Sequence, residues 1–147
     1  MRALLQRVLN AKVTVAGELS GEIKNGICVF LGVMSEDTDK DIEWLVDKLV
    51  NLRIFEDEND KMNLSLIDKN GEMLIVSQFT LYGSCKKGRR PSFSGAASAS
   101  FANEMYEKFV QRVRETGIKV ATGTFQTHMN VELNNDGPVT LMIDTKE

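Results

Sequence analysis

Gly26-Ile27-Cys28-Val29-Phe30-Leu31-Gly32 is a continuous apolar run between two glycines, and it indicates the fold class of this chain. A short apolar run bounded by turn residues is typical of a β-strand. Asn25-Gly26 marks the turn that precedes it. The segment on its N-terminal side is also strand-like, because it contains several β-branched residues, among them Val8, Val13, Thr14 and Val15. The sequence therefore predicts sheet from residue 4 to residue 33.

Two amphipathic helices are predicted. The first lies near residues 38–51, where Thr38-Asp39-Lys40-Asp41 resembles a capping box. Its apolar residues recur at helical spacing, at Ile42, Leu45, Val46 and Leu49. The second helix places an apolar residue at every fourth position, at Phe101, Met105, Phe109 and Val113, and Gly117 stands where a helix C-terminal glycine belongs.

The rest of the chain supplies further strands. Residues 64–67 and 73–79 are predicted to be two strands joined through Asn70-Gly71, and residues 118–121, 128–133 and 139–143 complete the sheet. The acidic stretch of residues 56–60 is interpreted as a solvated turn, because it lacks the spacing and the glycine of a calcium loop. These elements predict an α/β protein with a mostly antiparallel sheet covered by two helices, in one domain spanning residues 1–147.

The composition limits the function classes. The chain is 42% hydrophobic and 27% charged, with a formal net charge of -3, and no apolar stretch approaches the roughly 18 residues of a membrane helix. Arg2 stands where a secretory signal needs apolar residues, and Cys28 and Cys85 suggest free thiols in a reducing compartment. We therefore expect a soluble cytoplasmic protein. The acidic balance argues against a protein that coats nucleic acid without discrimination.

Two mostly uncharged polar motifs interrupt strand-like surroundings. The first motif is Ser77-Gln78-Phe79-Thr80-Leu81-Tyr82, and the second motif is Asn135-Asp136-Gly137-Pro138-Val139-Thr140. Each also has a plain structural interpretation. The first is an ordinary strand end if Phe79 and Leu81 fill the core, and the second is an Asp-Gly hairpin between two strands. Pro138 favours a special main-chain shape instead, because it removes a hydrogen-bond donor and makes a cis peptide energetically accessible.

The two motifs, together with Gln6-Arg7-Val8, resemble the paired signature of the D-aminoacyl-tRNA deacylase family, and the resemblance covers nearly the whole chain. It implies a barrel-like, mixed sheet and a homodimer with active sites at the interface. It also implies hydrolysis of the ester bond of D-aminoacyl-tRNA, rejection of L-aminoacyl-tRNA, and achiral glycyl-tRNA as a second substrate. In the family, one subunit presents a cis Gly-Pro bond to the active site of the other. Here that role would fall to Gly137 and Pro138, with Arg7 supporting them.

The resemblance assigns the catalytic role to Ser77, Gln78, Phe79 and Thr80. The main-chain N–H groups of Phe79 and Thr80 are expected to stabilise the oxyanion, while Ser77 and Gln78 orient substrate and water. Thr80 is not expected to be a nucleophile, because a hydroxyl needs an adjacent base and the only histidine, His128, is predicted to be a structural residue in a strand. Neither a metal nor a cofactor is expected, and the resemblance implies help from the 2'-hydroxyl of the terminal adenosine.

Residues 83–100 are predicted to form a mobile binding loop. It contains the densest positive charge of the chain, which we expect to hold tRNA phosphates, at Lys86, Lys87, Arg89 and Arg90. Phe93 and Ser94 are expected to contact the 3'-terminal adenosine, with aromatic stacking as the physical basis. Two alternatives stay open: the positive charges are merely a solvated loop, or the whole protein is a non-catalytic nucleic-acid-binding module.

Overall fold

The structure is a computed structural model that describes residues 1–147. Eight strands and two helices follow one another along the chain, with one 3₁₀ turn at Phe79–Tyr82 after the sixth strand. In chain order they are β1 (Arg2–Val15), β2 (Glu18–Ile23), β3 (Gly26–Gly32), α1 (Asp39–Asn51), β4 (Phe55–Glu56), β5 (Met62–Leu64), β6 (Glu72–Ser77), α2 (Ala99–Glu115), β7 (Lys119–Thr122) and β8 (Asn130–Asp144).

The sheet is built around β1. Along one edge β1 pairs antiparallel with β8 over almost its whole length. Along the other edge its first half pairs with β3 and its second half with β2, both antiparallel. The strands β6 and β7 then extend the sheet from β3 in parallel. The hydroxyl of Ser20 in β2 donates a hydrogen bond to the main-chain oxygen of Thr122 in β7 at 3.3 Å. This contact places β2 beside β7, so the sheet nearly closes into a barrel. The predicted barrel-like mixed sheet is confirmed.

Both predicted helices are confirmed, and they cover one face of this sheet. Leu45 of α1 and Phe109 of α2 are completely buried in a core shared with Leu5 of β1. The carboxylate of Asp41 accepts from the main-chain N–H of Thr38 at 2.8 Å, which holds the start of α1. No helix is long and apolar enough to cross a membrane.

The predicted hairpin around Asn70-Gly71 is wrong. The short strand β5 pairs with β4, whereas β6 pairs in parallel with β3 and β7. The reason is burial, because Met73, Leu74 and Ile75 are all inaccessible to solvent and a strand buried on both faces lies between neighbours inside the sheet. The residues between β5 and β6 form a turn instead.

The prediction of two strands at residues 128–133 and 139–143 is also wrong. They form one strand, β8, and the Asp-Gly pair makes no hairpin. Both halves of β8 pair with β1, since Gln6 lies opposite Thr140 and Val8 lies opposite Asn135. Residues 136–139 therefore face the single residue Arg7 and leave the sheet as a bulge. We call these four residues the Gly-Pro bulge.

Candidate active site

The first motif begins where β6 ends. Ser77 is the last residue of β6, and the main-chain N–H of Gln78 donates to the main-chain oxygen of Leu31 of β3 at 2.8 Å. The chain then enters the 3₁₀ turn, whose first residues are Phe79 and Thr80. The first N–H groups of a helical turn have no partner within that turn, so these two residues offer main-chain donors. The Nε2 of Gln78 donates to the hydroxyl of Thr80.

A cleft of about 490 Å³ lies beside this strand end, and we call it the main cleft. One wall is formed by Ser77, Gln78 and Phe79. Another wall is formed by the segment of residues 125–129 between β7 and β8. The lining is mostly apolar with a few polar groups, which is typical of a small-molecule site. The main cleft is therefore the candidate active site.

Phe79 does not fill the core. The residue is 55% exposed, and its ring meets the ring of Phe93 edge to face with the centroids 5.1 Å apart. This contact brings the loop that follows the first motif back to the main cleft. Ser94 lies next to Phe93 and accepts a hydrogen bond from Ser92 at 3.4 Å. The structure thus places Phe93 against the first motif.

The wall of residues 125–129 is a feature that the sequence reasoning missed. The sequence predicts His128 within a strand, but His128 precedes β8, is exposed, and lines the main cleft. The turn itself is held by the hydroxyl of Thr127, which donates to the main-chain oxygen of Thr124 at 2.7 Å. The sequence carries no strong signal for this wall, because its position depends on how β7 and β8 are arranged.

The basic residues lie together on the loop after the first motif. All four, Lys86, Lys87, Arg89 and Arg90, are exposed. None of them forms an ion pair with another residue of the chain. Their charge is therefore available to an anionic ligand. Cys85 precedes them and is an exposed free thiol.

The Gly-Pro bulge presents an unusual main-chain shape. The Gly137-Pro138 peptide bond is cis, and Gly137 has a φ of 141°, in the region that favours glycine. Both residues are exposed. Asn135 closes the bulge at its base, because its Oδ1 accepts from the N–H of Val139 at 2.8 Å and its Nδ2 donates to the oxygen of Val139 at 3.2 Å.

Arg7 lies beneath the bulge and is only 3% exposed. Its Nε donates to the main-chain oxygen of Asp136 at 2.9 Å. Its Nη1 donates to the main-chain oxygen of Ile54 at 2.6 Å and to the carboxylate of Glu56 at 2.8 Å. Arg7 therefore connects the bulge to β4.

The two motifs do not meet within one chain. The bulge is separated from β6 by three strand-to-strand steps, from β8 to β1, from β1 to β3 and from β3 to β6. Each step is about 4.8 Å. The bulge is also level with Met73, because Arg7 lies opposite Ile27 and Ile27 lies opposite Met73, four residues before Ser77. Gly137 and Pro138 do not line the main cleft.

A second groove, of about 450 Å³, lies between the two helices. Its charged side chains pair with one another, since Lys108 contacts Asp39 at 3.2 Å and Arg112 contacts Glu43 at 3.5 Å. This pairing leaves the main cleft as the better candidate. No group of three or more His, Cys, Asp or Glu side chains is arranged to hold a metal ion. Burial raises the pKa of the Cys28 thiol to about 12, which makes that thiol a poor nucleophile.

Comparison with known proteins gives consistent matches. A sequence profile described as D-Tyr-tRNA(Tyr) deacylase matches residues 4–144. A D-aminoacyl-tRNA deacylase of Clostridioides difficile (strain 630) is 56% identical, and one of Thermosipho africanus (strain TCF52B) is 58% identical. Each alignment covers 100% of this chain and 99% of the relative.

Two solved structures are similar over nearly their whole length. One, described as c-Myc DNA Unwinding Element Binding Protein, is 43% identical with a TM-score of 0.93, and the match covers 99% of each chain. Another, described as a probable eukaryotic D-amino acid tRNA deacylase, is 20% identical with a TM-score of 0.86, and the match covers 97% of each chain. The second likeness shows a shared fold.

Proposed function

The chain belongs to the D-Tyr-tRNA(Tyr) deacylase family, and we propose from that premise that residues 1–147 form one domain that proofreads chirality in translation. Its activity is that of a D-aminoacyl-tRNA deacylase, a hydrolase that acts on an ester bond and releases free D-amino acid and tRNA. We place this activity in the cytoplasm, where aminoacyl-tRNA is used. The observation that supports the proposal of chirality proofreading is the Gly-Pro bulge.

The bulge is proposed to read the α-carbon of the substrate. The main-chain oxygens of Gly137 and Pro138 are suited to accept hydrogen bonds from the α-amino group. They would at the same time occupy the space that an L side chain needs, while a D side chain points to solvent. Selectivity then comes mostly from rejection of the wrong enantiomer. Glycine has no side chain, so glycyl-tRNA is expected to be hydrolysed as well.

A second copy of the chain is proposed to deliver the bulge. Three strand-to-strand steps and four residues separate the bulge from Ser77 in one chain, which is too far for both to touch one aminoacyl group. A homodimer with the bulge of each subunit in the partner's main cleft would bring the two together. Mixing a Gln78→Ala variant with a Gly137→Ala variant tests this, because one site of each heterodimer is then intact and activity should return.

The chemistry is proposed to depend on position more than on a titrating side chain. The main-chain N–H groups of Phe79 and Thr80 would stabilise the oxyanion that forms when water attacks the ester carbonyl. Gln78 holds the hydroxyl of Thr80 and would orient the substrate. The vicinal 2'-hydroxyl of the terminal adenosine would assist the attack. Orientation and oxyanion stabilisation together supply several orders of magnitude in rate.

The tRNA is proposed to bind across the loop that follows the first motif. Phe93 packs against Phe79 at the main cleft, where its ring is available for stacking on the terminal base. Ser94 offers a hydroxyl beside it. The unpaired charges of Lys86, Lys87, Arg89 and Arg90 would hold phosphates of the acceptor stem.

A second candidate function is a nucleic-acid-binding module without catalysis. The exposed basic loop supports it, as does the description of one similar structure as a DNA-binding protein. Deacylation of matched D-tyrosyl-, L-tyrosyl- and glycyl-tRNA separates the two candidates. We expect much faster release from the D-tyrosyl and glycyl esters than from the L-tyrosyl ester. Retained RNA binding with no release of D-tyrosine would favour the binding module.

A further inference from the structure

We propose that Glu56 is a positioning residue for the Gly-Pro bulge and acts through Arg7. This inference rests on the proposed role of the bulge as the chirality filter. The sequence predicts only a solvated acidic turn at residues 56–60. The structure instead directs the Glu56 carboxylate onto a buried guanidinium that also contacts the bulge.

The contacts form a chain of three groups. Glu56 Oε2 lies 2.8 Å from Arg7 Nη1, and Arg7 Nε lies 2.9 Å from the main-chain oxygen of Asp136. Asp136 immediately precedes Gly137. The side chain of Arg7 is 4% exposed and that of Glu56 is 44% exposed, so the carboxylate reaches the buried cation from the surface. The guanidinium is planar and rigid, so fixing Nη1 also fixes the direction of Nε.

Glu56 also competes with another carboxylate. The Oδ2 of Asp136 lies 3.6 Å from Arg7 Nε, farther than the main-chain oxygen of the same residue. Without Glu56, the Asp136 carboxylate would be the nearest negative charge to a nearly buried cation. The guanidinium would then turn towards that carboxylate and loosen its hold on the main-chain oxygen. Glu56 thus keeps the Arg7 guanidinium hydrogen-bonded to the main-chain oxygen of Asp136.

The hairpin that carries Glu56 is itself held by several hydrogen bonds. In its turn, Oδ1 of Asp57 accepts from the N–H of Asn59 at 2.8 Å and from the N–H of Lys61 at 3.1 Å. Ile54, just before β4, accepts a further hydrogen bond from Arg7. Because these hydrogen bonds fix the hairpin, the Glu56 carboxylate has a fixed position and can hold the Arg7 guanidinium in one orientation.

The test compares Glu56→Gln and Glu56→Ala with Glu132→Gln, which removes an exposed carboxylate that pairs with Lys12 on the same sheet. The measurement is kcat/KM for D-tyrosyl-tRNA and L-tyrosyl-tRNA. We expect the D-to-L ratio to fall about tenfold in Glu56→Ala and less in Glu56→Gln, which keeps a neutral acceptor. The ratio should be unchanged in Glu132→Gln.

A double-mutant cycle shows whether the effect passes through Arg7. In an Arg7→Met background, Glu56→Ala should produce no further fall in the ratio. The role of Glu56 is overturned if the D-to-L ratio is unchanged in Glu56→Ala. It is also overturned if Glu56→Ala lowers the ratio equally in the wild-type and Arg7→Met backgrounds. Either result leaves the proposed function in place. A wild-type protein that fails to prefer the D substrate overturns the proposed filter and this inference together.

Discussion

Asn135 and Val139 are joined by two hydrogen bonds, one to the N–H and one to the oxygen of Val139, and these bonds close the base of the Gly-Pro bulge. The side chain of Asn135 thus replaces the strand pairing that the bulge interrupts. The last residue of the bulge is thus held against the residue that precedes the bulge, so the bulge has a fixed width.

Asn135→Ala should loosen the bulge. Both main-chain groups of Val139 lose their partner, and we expect a loss of about 1–3 kcal/mol in the free energy of unfolding together with a lower D-to-L ratio. Chemical denaturation and deacylation assays measure the two effects. Full stability and full discrimination in this variant would contradict the role of Asn135.

Gly137→Ala should damage the bulge more severely. A Cβ there would lie 2.8 Å from Cγ2 of Val139, and the φ of 141° is unfavourable for any residue with a side chain. Because the bulge is proposed to bind the α-amino group, we expect loss of most activity towards D-tyrosyl-tRNA as well as loss of most discrimination in the deacylation assay. Gly17→Ala is the matched control, because Gly17 also has a positive φ but a Cβ there meets nothing within 4 Å. Equal behaviour of the two variants would count against the proposal.

Thr80→Ala should reduce activity only in part. The Thr80 hydroxyl accepts a hydrogen bond from Gln78. Removing this hydroxyl should loosen the Gln78 side chain and lower kcat by about tenfold. The measurement is single-turnover deacylation of D-tyrosyl-tRNA. Complete loss with intact folding, or a trapped acyl-protein, would restore Thr80 as a nucleophile.

The pH–rate profile offers a separate check on the mechanism. With no titrating side chain in the chemistry, kcat/KM should show no inflection near neutral pH beyond the one that the α-amino group of the substrate itself produces. An inflection that disappears in His128→Asn would identify His128 as a general base and contradict the mechanism.

Asp41 should make the fold sensitive to acid. Burial alone would raise the pKa of this carboxyl, but hydrogen bonds from Lys146 and Thr38 outweigh burial and lower it. Because the pKa is lowered in the folded state, the stabilisation is present above the ordinary aspartate pKa of about 3.9 and is lost as the pH falls below it. Asp41→Asn should therefore lower the free energy of unfolding at pH 7 and flatten its acid dependence, as measured by denaturation at several pH values.

The parts of the fold that depend on local pattern were predictable. The spacing of Leu45 and Phe109 with their neighbours indicated both helices, and the resemblance identified the two motifs. The single strand β8 was not predictable, because its continuity depends on pairing with β1 from the opposite end of the chain. Glu56 and His128 were missed for the same reason: each acquires its place only through tertiary contacts.

The central position of β1 in the sheet limits the insertions and deletions that this strand can tolerate. Arg7 lies in its middle, and the strand pairs on one edge with the bulge-bearing β8 and on the other with β3, which lies beside the strand leading to the first motif. Inserting or deleting one residue before Arg7 would turn its side chain to the opposite face. A single such indel would take the Arg7 guanidinium away from the bulge.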